Sequence, residues 1–421
     1  MGSDMLVAVN TATATGTTYF GQNVCRRVGS FQPLHRNTGR AFATGELVQT
    51  QNLELPQARQ TFAVIGSRPT GEWGYDLGLN EQGVAAGCLD YPGKITHVPA
   101  LTGPDLVRLT LERACSARKG VEILCELISN HGQGSPAAYL IADRGEGYHV
   151  AGAGHFWVYQ EIGQVRAAGN VCTIHQDWDR ISFGLSGHAI DQGWWPGDGS
   201  KLDFADAVSG HAMGPESALR RWGRATYLLE QQNGKIDLHF VRRVLADHYE
   251  ATPFEVNPRA GMVPIPLCRH AVGRDLATLV SVVAQLPATD DALPMLGVAF
   301  GPPCMSLHFP VFVDGELPAA LTGDGLFAQR MHFLCQRFQQ GPEEWHPLHE
   351  ALLDLQEDFD RESADFARAA AGWKQAGQPI ASQTASFMQS CVERFERLLL
   401  QAQPNRPATL HVVDPPALPI P

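Results

Sequence analysis

The 421-residue chain has little of what would send a protein to a membrane or to nucleic acid. No stretch approaches the ~18 consecutive apolar residues of a membrane-spanning helix. No run of Lys or Arg interrupts a balance of 44 acidic against 32 basic side chains and a net charge of −12, so nucleic acid is not expected as a partner. The opening Met1-Gly2-Ser3-Asp4-Met5-Leu6-Val7-Ala8-Val9 has no basic segment and too short an apolar run for a secretory leader. Nine cysteines, an odd number without a Cys-x-x-Cys pair, point to reduced thiols in a cytoplasmic protein and against a disulfide framework. Gly152-Ala153-Gly154 runs into His155-Phe156-Trp157 with no third glycine and no helix, which argues against a dinucleotide site. No cofactor is expected.

What is present is the composition of a globular chain, 44% hydrophobic and 18% charged, long enough for a large core. Short β-branched or apolar runs at 5–9 and 17–21 read as two strands joined by a turn at Gly16. Further strands are expected at 60–67, 84–88, 138–142, 148–151, 156–162, 171–174, 278–286 and within 296–313. Helical spacing marks a segment from Asp105, a second at 117–130, and others at 215–231 and 237–248. Residues 180–210, rich in Gly, Asp and Trp, read as a long surface loop. Residues 325–402 read as mostly helical, with a Pro-rich tail at 403–421. Blocks of strands alternating with helix pairs predict a layered α+β fold, not a doubly wound sheet.

Four groups of residues carry a resemblance. The first is Ser3-Asp4-Met5-Leu6-Val7-Ala8. The second is Phe20-Gly21-Gln22-Asn23-Val24-Cys25-Arg26. The third is Ser67-Arg68-Pro69 with Glu72-Trp73-Gly74 and Gly78-Leu79-Asn80-Glu81-Gln82-Gly83-Val84. The fourth runs from Asp105 to Arg113 and on to His131-Gly132-Gln133-Gly134. In this order they resemble the secernin and dipeptidase family of N-terminal nucleophile hydrolases. Later echoes extend the likeness over roughly residues 3–313, among them Asn170, Leu245-Ala246-Asp247-His248 and Gly301-Pro302-Pro303-Cys304.

The resemblance implies an αββα sandwich over residues 3–320, and the helical pattern of 325–402 reads as a C-terminal extension packed on it. It implies hydrolysis of amide bonds in small peptides or acylated amines by a nucleophile at the mature N-terminus. The family's nucleophilic Cys falls on Ser3, so Met1-Gly2 would have to be removed to free its α-amine. Asn80 and Asn170 carry over as oxyanion contacts, Asn23 and Trp73 as substrate-binding residues, and Arg26 as a charge near the site. Two positions depart from the pattern: the family's Lys falls on Gln22 and its Asp on Cys25. These departures leave two alternatives open, a catalytically degenerate member that binds a ligand or protein, and an acyltransferase sharing the acyl-enzyme. A homo-oligomer is possible on the apolar stripes of 325–402.

Other local patterns weigh less. Ser116-Ala117-Arg118-Lys119 fits a Ser-x-x-Lys motif with none of its companion motifs. Cys268 and His270 stand two apart, His346 and His349 three apart, and neither pair has further ligands nearby in the sequence, so no metal is expected. Cys25 reads first as a buried small hydrophobe, and second as a catalytic candidate, a substitute nucleophile or redox thiol. Trp194-Trp195 reads as loop packing more than as a substrate cleft.

Overall fold

A computed structural model describes residues 3–27, 29–95, 98–209, 216–257, 264–270, 276–322, 330, 331, 334 and 342–401. In chain order the strands and helices are β1 (Asp4–Ala8), β2 (Thr18–Arg27), β3 (Leu34–Asn37), β4 (Leu47–Gln49), β5 (Glu54–Pro56), β6 (Val64–Ser67), β7 (Leu77–Asn80), β8 (Ala85–Asp90), α1 (Gly103–Leu111) and α2 (Ala117–His131). Then come β9 (Gln133–Ala142), β10 (Gly147–Gly154), β11 (Phe156–Glu161), β12 (Val165–Gly169), β13 (Arg180–Ile181), α3 (Leu185–Asp191), α4 (Phe204–Ser209), α5 (Glu216–Gln231) and α6 (Leu238–Leu245). The chain closes with β14 (Leu276–Leu286), β15 (Met295–Phe300), β16 (Phe309–Val311), α7 (Pro342–Gln375) and α8 (Ala381–Gln401).

Two antiparallel sheets form the middle of the molecule. One has six strands in the order β12-β1-β2-β14-β15-β16, the other eight in the order β13-β11-β10-β9-β8-β7-β6-β3. Strand alternation sends Met5, Val7, Phe20 and Val24 between the sheets, and Leu6, Ala8 and Tyr19 outward onto α5 and α6. On the opposite outer face α1 and α2 cover the eight-stranded sheet through Leu106, Leu109, Val121 and Leu124. The result is the four-layer α+β sandwich that the resemblance implied. The inter-sheet core continues into α7 and α8, where Phe309 packs against Phe359 and Phe395 at centroid distances of 6.1 and 5.2 Å.

Local chemistry explains the element ends. Asp105 is a first-turn acid, as its position predicted. It closes a capping box in which Thr102 Oγ1 accepts from Asp105 N at 3.1 Å and Asp105 Oδ2 accepts from Thr102 N at 3.0 Å. Ser116 caps α2 by accepting from Lys119 N at 3.2 Å, so the Ser-x-x-Lys pattern is a helix start. Gly152 and Gly154 lie inside β10.

Several sequence expectations need correcting. Residues 180–210 are not one loop: they hold α3 and α4, and Leu185, Ala189, Leu202 and Phe204 are buried in the core. Their Gly and Asp residues disguised helices of only six and seven residues. Residues 171–174 pair only through Val171, so no strand forms there. β2 runs six residues further than expected, to Arg27, because its polar Gln22 and Asn23 are buried, and Arg26 is half-buried, by partners the local pattern does not reveal. The short hairpin β4–β5 was not foreseen. Met1, Gly2 and the tail at 402–421 lie outside the described residues, as does most of 325–341.

Candidate active site

The register of the central strands decides what stands beside Ser3. Asp4 pairs with Asn23 on β2 and with Gly169 on β12, which sets Ser3 next to Asn170 at the same end of the sheet. Cys25 N donates to Ser3 Oγ at 3.1 Å. Asn170 is buried, and its Nδ2 donates to Asp90 O at 2.7 Å across the gap to β8. Its Oδ1 is buried without a hydrogen-bond partner. An amide has two hydrogens and two accepting positions, so Asn170 keeps capacity open at the head of β1.

Asp4, one residue on, points outward. Its carboxylate accepts from Nε of Arg221 on α5 at 3.1 and 2.9 Å, and Arg221 is fully buried. Burial pushes the Asp4 carboxyl up to about 6 against the opposing pull of Arg221. Nη1 and Nη2 of Arg221 have no hydrogen-bond partner. This pair escaped the sequence reading. A signal existed: Arg221 shares the buried stripe of α5 with Ala218, Ala225 and Leu229. A charge on such a stripe calls for a buried counter-charge.

The inner face of β2 ties the two sheets together near this end. Nη2 of Arg26 donates to both carboxylate oxygens of Asp76, at 2.8 and 2.7 Å, its Nε donates to Gln32 Oε1 at 3.1 Å, and Glu72 lies 3.8 Å from Nη1. Gln32 also donates to Asp76. Arg26 is therefore an inter-sheet charge held by acids. Gln22, where the resemblance has a Lys, donates to Cys88 O at 3.0 Å. It reaches so far into β8 that a Cβ on Gly87 would stand 2.0 Å from its Oε1 and 2.8 Å from the Phe20 ring, so a larger residue there would displace the Gln22 amide.

Cys25 faces the other way, toward Thr278 at 3.5 Å. Burial pushes its thiol up to about 11, which leaves it neutral at ordinary pH where the resemblance has a charged Asp. Asn23 gives both amide hydrogens to structure, Nδ2 donating to Leu245 O and Leu267 O at 2.8 and 3.0 Å, while its Oδ1 is buried without a hydrogen-bond partner.

Two expected site residues stand apart. Asn80, at the end of β7, gives both amide hydrogens to Leu111 O and Ala114 O, at 2.8 and 2.7 Å. Its Oδ1 accepts from Gln82 N and Val84 N at 3.0 and 2.9 Å. No donor is left for an oxyanion, and the side chain points to the end of α1 and not to Ser3. Trp73 lies under the Arg108 guanidinium, 3.9 Å from its ring centroid, on the α1 face. Trp194 and Trp195 are half-buried against the core. Cys268 and His270 do have company in space: His248 and Cys304 complete a group of four whose nitrogen and sulfur atoms lie within 4.8 Å of one another. Their separation along the chain hid this. The side chain of His346 lies outside the described residues. Among the described residues no helix is long and apolar enough to cross a membrane.

No protein-family model matches the chain. Solved structures to which it is similar include a conjugated bile acid hydrolase from Clostridium perfringens, with 14% identity over 70% of this chain and 88% of that one, at a TM-score of 0.38. Penicillin V acylase from Agrobacterium tumefaciens shares 14% identity over 76% of this chain and 88% of its own, at a TM-score of 0.38. An N-acylethanolamine-hydrolyzing acid amidase ortholog from Caenorhabditis elegans shares 10% identity over 68% of this chain and 93% of its own, at a TM-score of 0.34.

Proposed function

We propose that the chain is an amidohydrolase of the N-terminal nucleophile class, dipeptidase-like in acting on small peptides or acylated amines. The observation that carries the reading is the placement of Ser3 at the head of β1. There a backbone N–H fixes its Oγ, and Asn170 stands alongside with capacity to spare.

In this reading removal of Met1-Gly2 exposes the Ser3 α-amine, whose ordinary pKa of about 7.7–8.0 leaves a useful unprotonated fraction at neutral pH. The amine takes the hydroxyl proton as Oγ attacks the substrate carbonyl. Negative charge moves onto the carbonyl oxygen, where the second amide hydrogen of Asn170 donates to it. Collapse expels the amine leaving group, which collects the proton, and leaves an ester on Ser3 Oγ. Water attacks that ester by the same route and frees the acid. The Asp4–Arg221 pair holds the strand head in place, and Arg26, neutralised by Asp76, supports the inner wall.

The test is the intact mass and N-terminal sequence of protein made without an N-terminal tag, followed by a panel of dipeptides and acylated amino acids. The expected result is a chain beginning at Ser3 that turns over at least one substrate class, with turnover abolished in Ser3→Ala. A chain that keeps Met1 or Gly2 and is inert across the panel contradicts the reading.

One observation favours a second reading, a binding protein on the same fold. Gln22 and Cys25 bring no charge where the family pattern has two, and Gln22 is committed to backbone carbonyls. If Ser3→Cys combined with Gln22→Lys and Cys25→Asp creates activity in an inert protein, that second reading holds.

A further inference from the structure

Behind the strands that carry Ser3 and Cys25 the fold gathers a separate set of reactive side chains. His248 follows α6, Cys268 and His270 flank Arg269 in the segment before β14, and Cys304 follows the Gly301-Pro302-Pro303 turn after β15. Their ligating atoms all lie within 4.8 Å of one another. Nε2 of His270 is 3.1 Å from Nε2 of His248, 3.0 Å from Sγ of Cys304 and 3.6 Å from Sγ of Cys268. His248, Cys268 and His270 are buried and Cys304 is half-buried.

We infer that these four side chains form a structural Zn²⁺ site of the Cys2His2 kind. Three observations support it. The first is size. Tetrahedral zinc with bonds of ~2.0–2.1 Å to nitrogen and ~2.3 Å to sulfur sets neighbouring ligand atoms roughly 3.3–3.8 Å apart. The spacings of 3.0, 3.1 and 3.6 Å need only small side-chain shifts to meet that.

The second is donor set. Two thiols and two imidazoles suit zinc, and deprotonation of both thiols on binding releases two protons and cancels the charge of the dication. The buried site then carries no net charge. The third is outer support. Nδ1 of His248 stands 3.1 Å from Glu250 Oε1, and Glu250 Oε2 accepts from His248 N at 2.8 Å. A carboxylate on Nδ1 keeps the proton there and turns the Nε2 lone pair toward the cluster, as metal-bound histidines require.

Four protein ligands leave no open position, so the ion fastens and takes no part in substrate chemistry. What it fastens is the outer wall of the candidate active site. Leu267 O, next to Cys268, and Leu245 O, three residues before His248, receive the Asn23 amide. Arg269 N donates to Thr278 Oγ1 at 3.0 Å, and Thr278 in turn lies against Cys25, whose N–H holds Ser3 Oγ.

The test is the metal content of untagged protein by mass spectrometric elemental analysis, joined to Co²⁺ replacement followed by absorption. The expected result is one zinc per chain, and a Co²⁺ form with thiolate charge-transfer and tetrahedral ligand-field bands. Cys268→Ser and Cys304→Ser should lose the zinc, Glu250→Gln should weaken binding about 10–100-fold, and Ser3→Ala and Cys115→Ser should keep full stoichiometry. If the ligand variants fail to fold, chelator-stripped wild-type protein reloaded with Co²⁺ decides the matter by its spectrum. Zinc-free native protein that takes up no Co²⁺ overturns the inference. So does a mass two hydrogens light that a reductant restores, because it would mark a Cys268–Cys304 disulfide in place of a metal.

Discussion

Asn80 and Asn170 are the same residue at two strand ends, and the fold uses them in opposite ways. Asn80 spends both hydrogens and both accepting positions on the β7–β8 turn and the end of α1. Asn170 spends one hydrogen on Asp90 O and leaves its Oδ1 without a partner. A side chain whose hydrogen bonds are all used holds structure. One with a hydrogen left over can still donate to a ligand. The contrast separates residues that stabilise from residues that act, and it can be broken experimentally.

The largest effect is expected at Ser3. Ser3→Ala should reduce kcat/KM by on the order of 10⁴-fold or more, since the nucleophile itself is gone, while thermal unfolding stays near wild type. Asn170→Ala should lower kcat by about 10²–10³-fold with little change in KM, the signature of a lost oxyanion donor. A fall in stability without a fall in kcat would move Asn170 into the class of Asn80.

The Asp4 carboxyl comes next, and its two consequences run in opposite directions with pH. Its folded pKa of about 6 lies above the ~3.9 of an unfolded aspartate. The fold therefore binds this proton more tightly, and the stability it contributes is full below about pH 4 and lost as pH rises through 6, roughly 3 kcal/mol in all. Turnover should behave oppositely, falling below pH 6 as the Asp4–Arg221 pair is protonated apart. Denaturant unfolding and kcat/KM measured over pH 4–8, in wild type and Asp4→Asn, check both signs. The variant should lose the stability slope.

Asn80→Ala is expected to cost about 2–3 kcal/mol, because it strands two carbonyls at the end of α1 and two N–H groups at the β7–β8 turn. The folded fraction should keep wild-type kcat. Loss of kcat at unchanged stability would return Asn80 to the active site.

Much of this architecture was legible in the sequence because it rests on period. The runs at 5–9, 138–142 and 278–286 alternate or stay apolar as buried strands must, and the spacing at 117–130 and 215–231 is helical. What escaped depends on partners far along the chain. Asp4 and Arg221 meet 217 residues apart, and His270 and Cys304 meet 34 apart. No local pattern announces such pairs, though an arginine on the apolar stripe of α5 hints at one. Asn80 and Asn170 looked alike in sequence for the same reason: which hydrogen bonds an amide spends is decided by Leu111, Ala114 and Asp90, none of them neighbours.

The most direct test of Ser3 as nucleophile is to quench a reaction with an activated acyl-amide substrate in acid and map the chain by peptide mass. The account predicts an acyl group on a peptide that begins with Ser3, absent in Ser3→Ala. A peptide that still carries Met1-Gly2, or turnover that survives Ser3→Ala, would contradict it.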